Sequence, residues 1–354
     1  MTAETKVRAA FQAQAEACER LGSPFTARLC WLAGEKLAAE QGSVAQRILS
    51  WTGDPSAMAD SVPLRLAAGL HALVLSGAAP DLAAVYPPHH KARDDAALWC
   101  AVTAVMTAHE DHLQHWLDSP PQTNEVRRAA ALYLGLMSIA RETGLPIALT
   151  EIGSSGGFNL NLDRYAYRFG RVEVGEAASP LTLAPAWRGP EPAPAKVTVA
   201  ERRGCDINPL DINEPNGRLR LLSYLWPDQS ERLALTQAAL AVAVAHPVEV
   251  ERRDAADFVA QRIAEARDGQ AQVVAHTIMW QYMPEATQDA IRAHLHDAGA
   301  RATVDRPLAW LRLEPDDDKP GAALSLTLWP SGQERLLTHC DFHGRWIAAG
   351  EDSS

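Results

Sequence analysis

The sequence predicts an α/β protein with a mostly parallel sheet, preceded by an all-helical region. Residues 1 to about 140 show the apolar spacing of successive helices, and from Pro146 strand patterns alternate with helical ones. The apolar run 147–152 leads into a loop of small residues, an arrangement typical of a strand that ends near a ligand. We expect a helical region at 1–143 and an α/β domain at 144–354 with an insertion near 165–195.

The composition excludes some classes of protein. The chain has 354 residues and a formal net charge of −11 at pH 7, which disfavours a nucleic-acid partner. Its five cysteines are scattered and form no CxxC pair, as is typical of reduced thiols in the cytoplasm. Neither a signal-peptide pattern nor an apolar run of membrane-spanning length is present. We therefore expect a cytoplasmic protein that binds neither nucleic acid nor membrane.

Local signals predict where some helices begin and end. Ser23-Pro24 combines an N-cap residue with proline at the first helical position, so a helix should start there. Leucines from 64 to 73 and the apolar spacing of 96–116 indicate two further helices. A helix from about Asn124 to Arg141 should end at Gly144, immediately before the first strand.

Seven segments have strand patterns: 146–152, 197–201 (or on to 205), 247–252, 272–278, 307–313, 323–329 and 335–342. Pro330-Ser-Gly-Gln separates the last two, which indicates an antiparallel hairpin. Leucines alternate with Ser325 and Thr327 in the first of these strands, as expected for a half-buried edge. In the insertion, large apolar residues alternate around Gly170, which predicts another β-hairpin.

The loop after the first strand reads Glu151-x-Gly-x-Ser-x-Gly157 and continues into a segment with helical apolar spacing. It lacks the dinucleotide pattern Gly-x-Gly-x-x-Gly. It resembles the first motif of the S-adenosylmethionine-dependent methyltransferases, acidic-x-Gly-x-Gly-x-Gly, with Ser155 at the middle glycine. The strand pattern of the last 210 residues or so resembles the seven-stranded sheet of that family, whose last strand is antiparallel. The alternative is an ordinary tight strand-to-helix turn.

This resemblance implies a Rossmann-like, methyltransferase-type fold that binds S-adenosylmethionine at its strand ends. Asp206 would accept the ribose hydroxyls, with Glu201 as the competitor if the second strand ends earlier. Asp254 would accept the adenine amino group, although it also suits an N-cap for the next helix. The methionine end of the cofactor would be bound by Glu151, Gly153, Ser154, Ser155, Gly156 and Gly157.

The fourth strand should carry groups that face the acceptor. His276 suits a general base because imidazole titrates near neutral pH, and Tyr282 is the second candidate catalytic residue. The alternative for His276 is a packed, hydrogen-bonded histidine. Candidate substrate-binding residues are Gln122, Asn124, Glu125, Trp280 and Gln281. Helix capping explains Asn124 and Glu125 equally well, and core packing explains the aromatic residues. We expect the acceptor pocket to lie between His276 and the polar segment 122–125.

Two histidine patterns look like metal sites. The histidines of His109–His115 do not share one helix face, and those of His339–His343 alternate on a strand with Asp341. Neither pattern supplies the four ligands of a zinc site, so no metal is expected.

Several motifs resemble a bacterial family of unknown function over most of the chain. They are Gln122–Val126, the Glu151 loop, Gly204–Asp206, Trp226–Gln229, Trp280–Tyr282 and Pro307–Glu314. This resemblance implies no activity. The leading hypothesis is methyl transfer from S-adenosylmethionine to a small-molecule or protein acceptor. A non-catalytic ligand-binding protein that retains the fold is the alternative. A nicotinamide-dependent oxidoreductase is a third hypothesis, which the missing Gly-x-Gly-x-x-Gly disfavours.

Overall fold

The computed structural model describes residues 2–89, 94–122, 124–316 and 318–350. Its α-helices are α1 (Ala3–Arg20), α2 (Pro24–Lys36), α3 (Ser43–Leu49), α4 (Val62–Leu75), α5 (Pro80–Ala83), α6 (Asp95–Ala108), α7 (Glu110–Leu117), α8 (Arg128–Thr143), α9 (Pro215–Ser223), α10 (Ser230–Ala245), α11 (Ala255–Ala264) and α12 (Glu285–Gly299). Its strands are β1 (Ile147–Ile152), β2 (Ala166–Phe169), β3 (Val172–Gly175), β4 (Thr182–Leu183), β5 (Ala186–Arg188), β6 (Val199–Asp206), β7 (Val250–Arg252), β8 (Ala271–Thr277), β9 (Leu308–Pro315), β10 (Ala322–Trp329), β11 (Gln333–Cys340) and β12 (Trp346–Ala349). Short 3₁₀ helices span Ala39–Gln41, Phe158–Arg164 and Trp280–Tyr282. Among the described helices, none is long and apolar enough to cross a membrane.

The chain forms two compact units. The first comprises Met1–Thr123 and Asn213–Ala234, and the second comprises Asn124–Ile212 and Leu235–Ser354. These units differ from the predicted ranges 1–143 and 144–354 because α8 packs on the sheet, whereas α9 packs on α4. The predicted division into domains at 143/144 stays a prediction.

The described part of the first unit is helical, and its helices enclose an apolar core. Val7 and Phe11 on α1 and Leu32 on α2 are completely buried in it. The predicted start of α2 is confirmed. Ser23 is the N-cap, its hydroxyl accepts the backbone N–H of Thr26, and Pro24 is the first helical residue.

The motif Trp226–Gln229 bonds the second segment of this unit, Asn213–Ala234, to the start of α2. Asp228 accepts a 2.8 Å hydrogen bond from the backbone N–H of Phe25 and a 2.5 Å bond from the hydroxyl of Ser23. Gln229 donates its side-chain amide to the carbonyl of Leu21 at 3.2 Å. These bonds satisfy polar groups around the start of α2, so Asp228 and Gln229 have a structural role here.

The second unit is built on a nine-stranded sheet with the order β5-β12-β11-β10-β9-β8-β1-β6-β7. Strands β7, β6, β1, β8 and β9 are parallel, and β10 and β11 follow as antiparallel neighbours. The predicted Rossmann-like α/β sheet and its C-terminal hairpin are therefore confirmed. Strands β12 and β5 extend the hairpin edge of the sheet and were not predicted.

Strand order reverses beside β1. From β1 the chain proceeds to β6 and then to β7 on one side, and after α11 it returns to β8 on the other side and continues to β9. Connections leave β1 and β8 in opposite directions, which opens a crevice at the carboxyl ends of these strands. The fold therefore favours this edge for a ligand.

The two faces of the sheet are covered by different helices. A Cβ atom at Gly135 of α8 would lie 2.5 Å from the Leu311 side chain, so α8 packs directly on one face. Leu311 is in register with Ala275, which is in register with Glu151, so Glu151 points to the α8 face. His276 points to the opposite face, where β1, β8 and β9 pack against α11 and α12.

The insertion near 165–195 contains the predicted hairpin. Strands β2 and β3 pair antiparallel around Gly170, whose φ is +64°. The ring of Tyr167 stacks on that of Tyr133 of α8 with their centroids 4.2 Å apart. The hydroxyl of Tyr167 donates to the carbonyl of Leu162 at 2.5 Å. The insertion is therefore packed into the second unit.

Candidate functional site

The loop that follows β1 uses left-handed backbone at three positions. The φ angles of Gly153, Ser155 and Gly157 are +68°, +51° and +75°. A Cβ atom at Gly157 would lie 2.8 Å from Cγ2 of Val248, so both conformation and space require glycine there. Ser155 adopts the same region without being glycine, at a cost of roughly 1–2 kcal/mol.

Backbone strain is concentrated at the strand-order reversal. Within the described ranges, positive φ angles in non-glycine residues occur at Ser61, Ser155 and Ile278. Ser155 lies in the loop after β1, and Ile278 immediately follows β8. Such residues are enriched at ligand sites, where the surrounding structure holds them in place.

The segment after the loop is a 3₁₀ helix, Phe158–Arg164, and it bends at Asn161. It is too short to supply a helix dipole to a ligand. Two backbone donors of the loop are also taken, since Ser154 N–H bonds the carbonyl of Cys205 and Gly157 N–H bonds that of Ser154. Any ligand at this edge is therefore bound mainly by side chains and by close backbone approach.

Asp206 ends β6 and holds the loop in place. Its Oδ2 accepts the backbone N–H of Ser155 at 2.9 Å, and its Oδ1 accepts that of Asn208 at 2.8 Å. Glu201 is in register with Ala148 near the start of β1, and it forms a 2.8 Å ion pair with Arg262. The strand continues to Asp206, so Asp206 and not Glu201 is the acidic residue at the ligand edge.

Glu151 is a buried carboxyl group with an incomplete set of hydrogen bonds. Its Oε1 accepts the amide of Asn159 at 2.7 Å, and its Oε2 has no partner. Burial raises the pKa of Glu151 to about 8, although hydrogen bonds from Asn159 and Ser154 oppose the shift. The carboxyl group is therefore mostly neutral at pH 7.

Two more oxygen atoms close to Glu151 along the chain are buried without partners. They are Oγ of Ser155 and Oδ1 of Asn159. A buried polar group without a hydrogen bond costs about 1–3 kcal/mol, so native proteins contain few of them. Three such atoms lie within Glu151–Asn159, which makes this segment a candidate ligand site.

Asn124 lies beside the glycine loop, and its substrate-binding role stays a prediction. Its side-chain amide donates to the carbonyl of Ser154 at 3.1 Å. Helix α8 begins only at Arg128, and its N-cap residue makes no capping bond through a side chain, so capping does not explain Asn124. Glu125 is buried and its Oε1 accepts the backbone N–H of Arg127 at 3.4 Å. Gln122 belongs to the first unit, and its substrate-binding role stays a prediction.

Asp254 is the N-cap residue of α11. Its Oδ1 accepts the backbone N–H groups of Ala256 and Asp257 at 2.8 and 3.4 Å. The capping alternative is therefore correct, and its side chain is exposed at the end that follows β7. Because capping uses Oδ1, the adenine role that the resemblance implies stays a prediction.

His276 is completely buried and both of its ring nitrogens have partners. The indole N–H of Trp310 donates to Nε2 at 3.1 Å, and Nδ1 lies 2.6 Å from Oε1 of Glu314. Indole only donates, so Nε2 must accept and Nδ1 carries the proton towards Glu314. This geometry favours the packed, hydrogen-bonded alternative over a general base.

The other residues after β8 are half-buried or exposed. Trp280 stacks on His276 with the ring centroids 5.0 Å apart, whereas Gln281 is exposed and Tyr282 is 59% exposed. His276 points to the face covered by α11 and α12, whereas Asn124 leads into α8 on the other face. The expected acceptor pocket between His276 and the segment 122–125 stays a prediction.

Histidines of the two metal-like patterns bond to other groups of the protein. In the first pattern, His112 contacts the carbonyl of Gly69 through Nε2 at 3.0 Å. In the second, His339 bonds Asp316, and Asp341 accepts the backbone N–H of Arg345 at 2.5 Å. The described residues contain no group of three or more acidic, histidine or cysteine side chains able to hold a metal ion.

Sequence reasoning missed Asn159, Trp310 and Glu314. Asn159 follows the glycine loop inside an apolar-spaced segment, and that polar interruption was a usable signal. Glu314 ends the family motif Pro307–Glu314 and lies near the end of β9, just as Glu151 lies near the end of β1. Its Oε2 is also buried without a partner.

No curated protein and no solved structure matches this chain. The family model of an uncharacterized protein conserved in bacteria (DUF2332) matches residues 8–348. Because this match spans nearly the whole sequence, the chain belongs to that bacterial family.

Proposed function

We propose that this protein transfers a methyl group from S-adenosylmethionine to a small-molecule or protein acceptor. One observation carries the proposal: acidic residues lie at the carboxyl ends of β1, β6 and β7, three adjacent parallel strands. They are Glu151, Asp206 and Asp254. Ligands of doubly wound sheets bind outside these ends, next to the strand-order reversal.

The groups around Glu151 suit the methionine end of the cofactor. An ammonium group has three N–H donors, and three oxygen atoms without partners lie within Glu151–Asn159. An ionised Glu151 would pair with the positive charge, and the small residues 153–157 allow close backbone approach. The donor and acceptor chemistry of the loop therefore fits the cofactor.

Asp206 suits the ribose. A carboxylate only accepts hydrogen bonds, and each of its oxygens takes about two. Two backbone N–H groups are among the donors to Asp206, one on each oxygen. Its place at the end of β6 therefore suits the approach of hydroxyl donors. Asp254, exposed after β7, is our proposed acceptor for the adenine amino group through Oδ2, since capping uses Oδ1.

When bound, S-adenosylmethionine supplies a methyl group already activated by its sulfonium. The protein then needs to align the acceptor and, for a hydroxyl or amine, to remove a proton. We propose His276 and Tyr282 for this chemistry and Trp280 and Gln281 for acceptor contacts. His276 can accept a proton only after its bond with the Trp310 indole opens.

A non-catalytic protein that binds an adenosyl ligand is the second candidate. The observation in its favour is that His276 is fully buried and bonded through both nitrogens. Such a protein would bind the cofactor and its demethylated product without turnover. Product formation with candidate acceptors separates the two functions.

Calorimetric titration of the full chain with S-adenosylmethionine, S-adenosylhomocysteine and NAD⁺ tests the proposal. We expect both adenosyl ligands to bind and NAD⁺ not to bind. Glu151→Gln preserves size and the bond from Asn159 but cannot ionise, so it should weaken adenosyl binding about ten- to a hundredfold. The exposed Glu173→Gln is the matched control.

Three results would count against this assignment. If neither adenosyl ligand binds, the cofactor is wrong. If NAD⁺ alone binds, an oxidoreductase becomes the better hypothesis. If Glu151→Gln binds like the wild type, the ammonium does not lie at Glu151, even when the cofactor is correct.

A further inference from the structure

Arg220 of α9 has an unfilled hydrogen-bonding edge. Its Nε and Nη2 atoms are both buried without an acceptor. These nitrogens form the side of the planar guanidinium that binds a carboxylate or phosphate through two parallel hydrogen bonds. In the described part of the chain, no other arginine leaves two buried nitrogens without partners.

A second guanidinium lies in the same region of the first unit. Arg65 of α4 is 6% exposed and donates to the carbonyls of Asp60 and Leu117 at 2.5 and 2.8 Å. Burial lowers the pKa of Arg65, Asp60 opposes this shift, and the charges of Arg47 and Arg220 add to it. Arg65 donates to the carbonyl of Leu117, and Arg220 lies over the ring of the preceding residue, Trp116, so both guanidinium groups contact the same short segment.

The negative charge nearby compensates this pair only in part. The closest carboxylate oxygen to Arg65 is Oδ1 of Asp60, 3.8 Å from Nη2. The other oxygen of Asp60 accepts the indole N–H of Trp51 at 2.7 Å. Arg220 has no salt bridge of its own among the described residues. The region therefore carries excess positive charge.

Aromatic side chains complete the surroundings of Arg220. The Trp116 ring centre lies 5.5 Å from the guanidinium carbon, and the rings of Trp116 and Tyr224 are 5.8 Å apart. The hydroxyl of Tyr224 lies 3.4 Å from the carbonyls of both Ser119 and Pro120, beyond the optimal hydrogen-bond length. This hydroxyl also bonds the Arg220 side chain, and the charges of Arg220 and Arg65 oppose the rise in the pKa of Tyr224 that burial causes.

We propose that Arg220, Arg65 and Tyr224 form a binding site for a small anion that carries a phosphate or carboxylate group. The anion accepts two hydrogen bonds from the free edge of Arg220 and one from the hydroxyl of Tyr224. Arg65 contributes through its charge, because its bonds to carbonyl groups remain. The site lies within the first unit and does not depend on the proposed methyl transfer.

Anion binding here requires a small movement, since the free edge of Arg220 is covered. The Trp116 ring is the neighbouring group identified over the guanidinium. Trp116 is itself buried and packs against Gly69, so the ring stays in place. Arg220 is only half-buried, and a change of its own rotamer can turn the free edge towards an anion.

Calorimetric titration of the full chain with inorganic phosphate, and separately with succinate, tests the proposal at constant ionic strength. We expect saturable binding of at least one of these anions to the wild type. Arg220→Met keeps the apolar stem and should weaken that binding at least about tenfold. Arg20→Met, at an exposed arginine of α1, should bind like the wild type.

Thermal unfolding supplies a second readout. The anion should raise the melting temperature of the wild type and of Arg20→Met, but not that of Arg220→Met. Binding of phosphate alone indicates a phosphate-bearing ligand, and binding of succinate alone a carboxylate. Absence of saturable binding of both anions to the wild type, or undiminished binding to Arg220→Met, would overturn the proposal.

Discussion

The backbone N–H of Ser155 donates to Oδ2 of Asp206 at 2.9 Å, which joins the loop after β1 to the end of β6. The same carboxylate accepts the backbone N–H of Asn208 at 2.8 Å. Asp206 therefore has two connected tasks: it positions the strained loop, and in the proposed function it binds the ribose. A variant of Asp206 changes both, so its test needs a stability measurement beside the affinity.

Asp206→Ala should weaken binding of S-adenosylhomocysteine about ten- to a hundredfold, because a hydrogen bond to a charged group is worth about 1.5–3 kcal/mol. It should also lower the free energy of unfolding, since the N–H groups of Ser155 and Asn208 lose their acceptor. Titration calorimetry and urea unfolding measure the two effects. Glu201→Gln is the control, because Glu201 pairs with Arg262 away from the ligand edge. Loss of affinity in the Glu201 variant alone would reverse this assignment.

Glu151→Gln should change the pH dependence of stability. The folded-state pKa of Glu151 is raised from 4.5 to about 8 by burial, so the unfolded state ionises first as the pH rises. The stability that the neutral carboxyl contributes is complete below pH 4.5 and is lost progressively up to about pH 8. Across this range, the free energy of unfolding of the glutamine variant should therefore rise relative to that of the wild type, by up to about 5 kcal/mol.

Urea unfolding at half-unit steps from pH 5 to pH 8.5 measures this difference. Glu173→Gln, on the exposed side of β3, should show no such trend relative to the wild type. A constant difference between Glu151→Gln and the wild type at every pH would mean that Glu151 is ionised in the folded protein.

Asp254 offers a way to separate capping from ligand binding. Asp254→Ser keeps an N-cap side chain, whereas Asp254→Ala loses it and should cost about 1 kcal/mol of stability. If Asp254 also accepts the adenine amino group, both variants should bind S-adenosylhomocysteine more weakly than the wild type. Urea unfolding and calorimetry report the two roles separately. Wild-type affinity in the serine variant would leave Asp254 with the capping role alone.

The pair His276 and Trp310 should be energetically coupled. His276→Ala leaves the indole N–H of Trp310 buried without an acceptor, at a cost of about 1–3 kcal/mol beyond the lost packing. Trp310→Phe removes the donor itself, so the double variant should be more stable than the sum of the single effects predicts. Urea unfolding of all four proteins gives the coupling free energy. Strict additivity would show that the bond contributes nothing.

Gly157 is expected to tolerate substitution poorly. Its φ is +75°, and a Cβ atom there would contact Val248 and Val250 at 2.8 and 3.0 Å. Gly144 has a similar φ of +66° but no atom within 4 Å of such a Cβ. Gly144→Ala therefore measures conformational strain alone, roughly 1–2 kcal/mol. Gly157→Ala should cost more, and equal losses in urea unfolding would contradict the contact with the two valines.

Local signals were sufficient for most elements of the fold. Apolar periodicity predicted β1, β8 and the hairpin of β10 and β11, and the Ser23-Pro24 pair predicted the start of α2. These features depend on neighbours a few residues apart, and capping and strand alternation are local properties. The order of strands and helices along the chain is also as predicted. Crossovers between parallel strands then allow few arrangements of these strands in a sheet.

The description of the candidate site depended on both the sequence and the tertiary structure. By itself the sequence determined that acidic residues end neighbouring strands and that small residues follow β1. Only the tertiary structure decided that β6 reaches Asp206, that the buried Glu151 has an unpartnered oxygen, and that His276 is bonded through both ring nitrogens. It also decided that residues 213–234 belong with the N-terminal helices. Burial, register and the partners of a side chain arise from contacts between distant segments, and local periodicity carries no information about which segments meet.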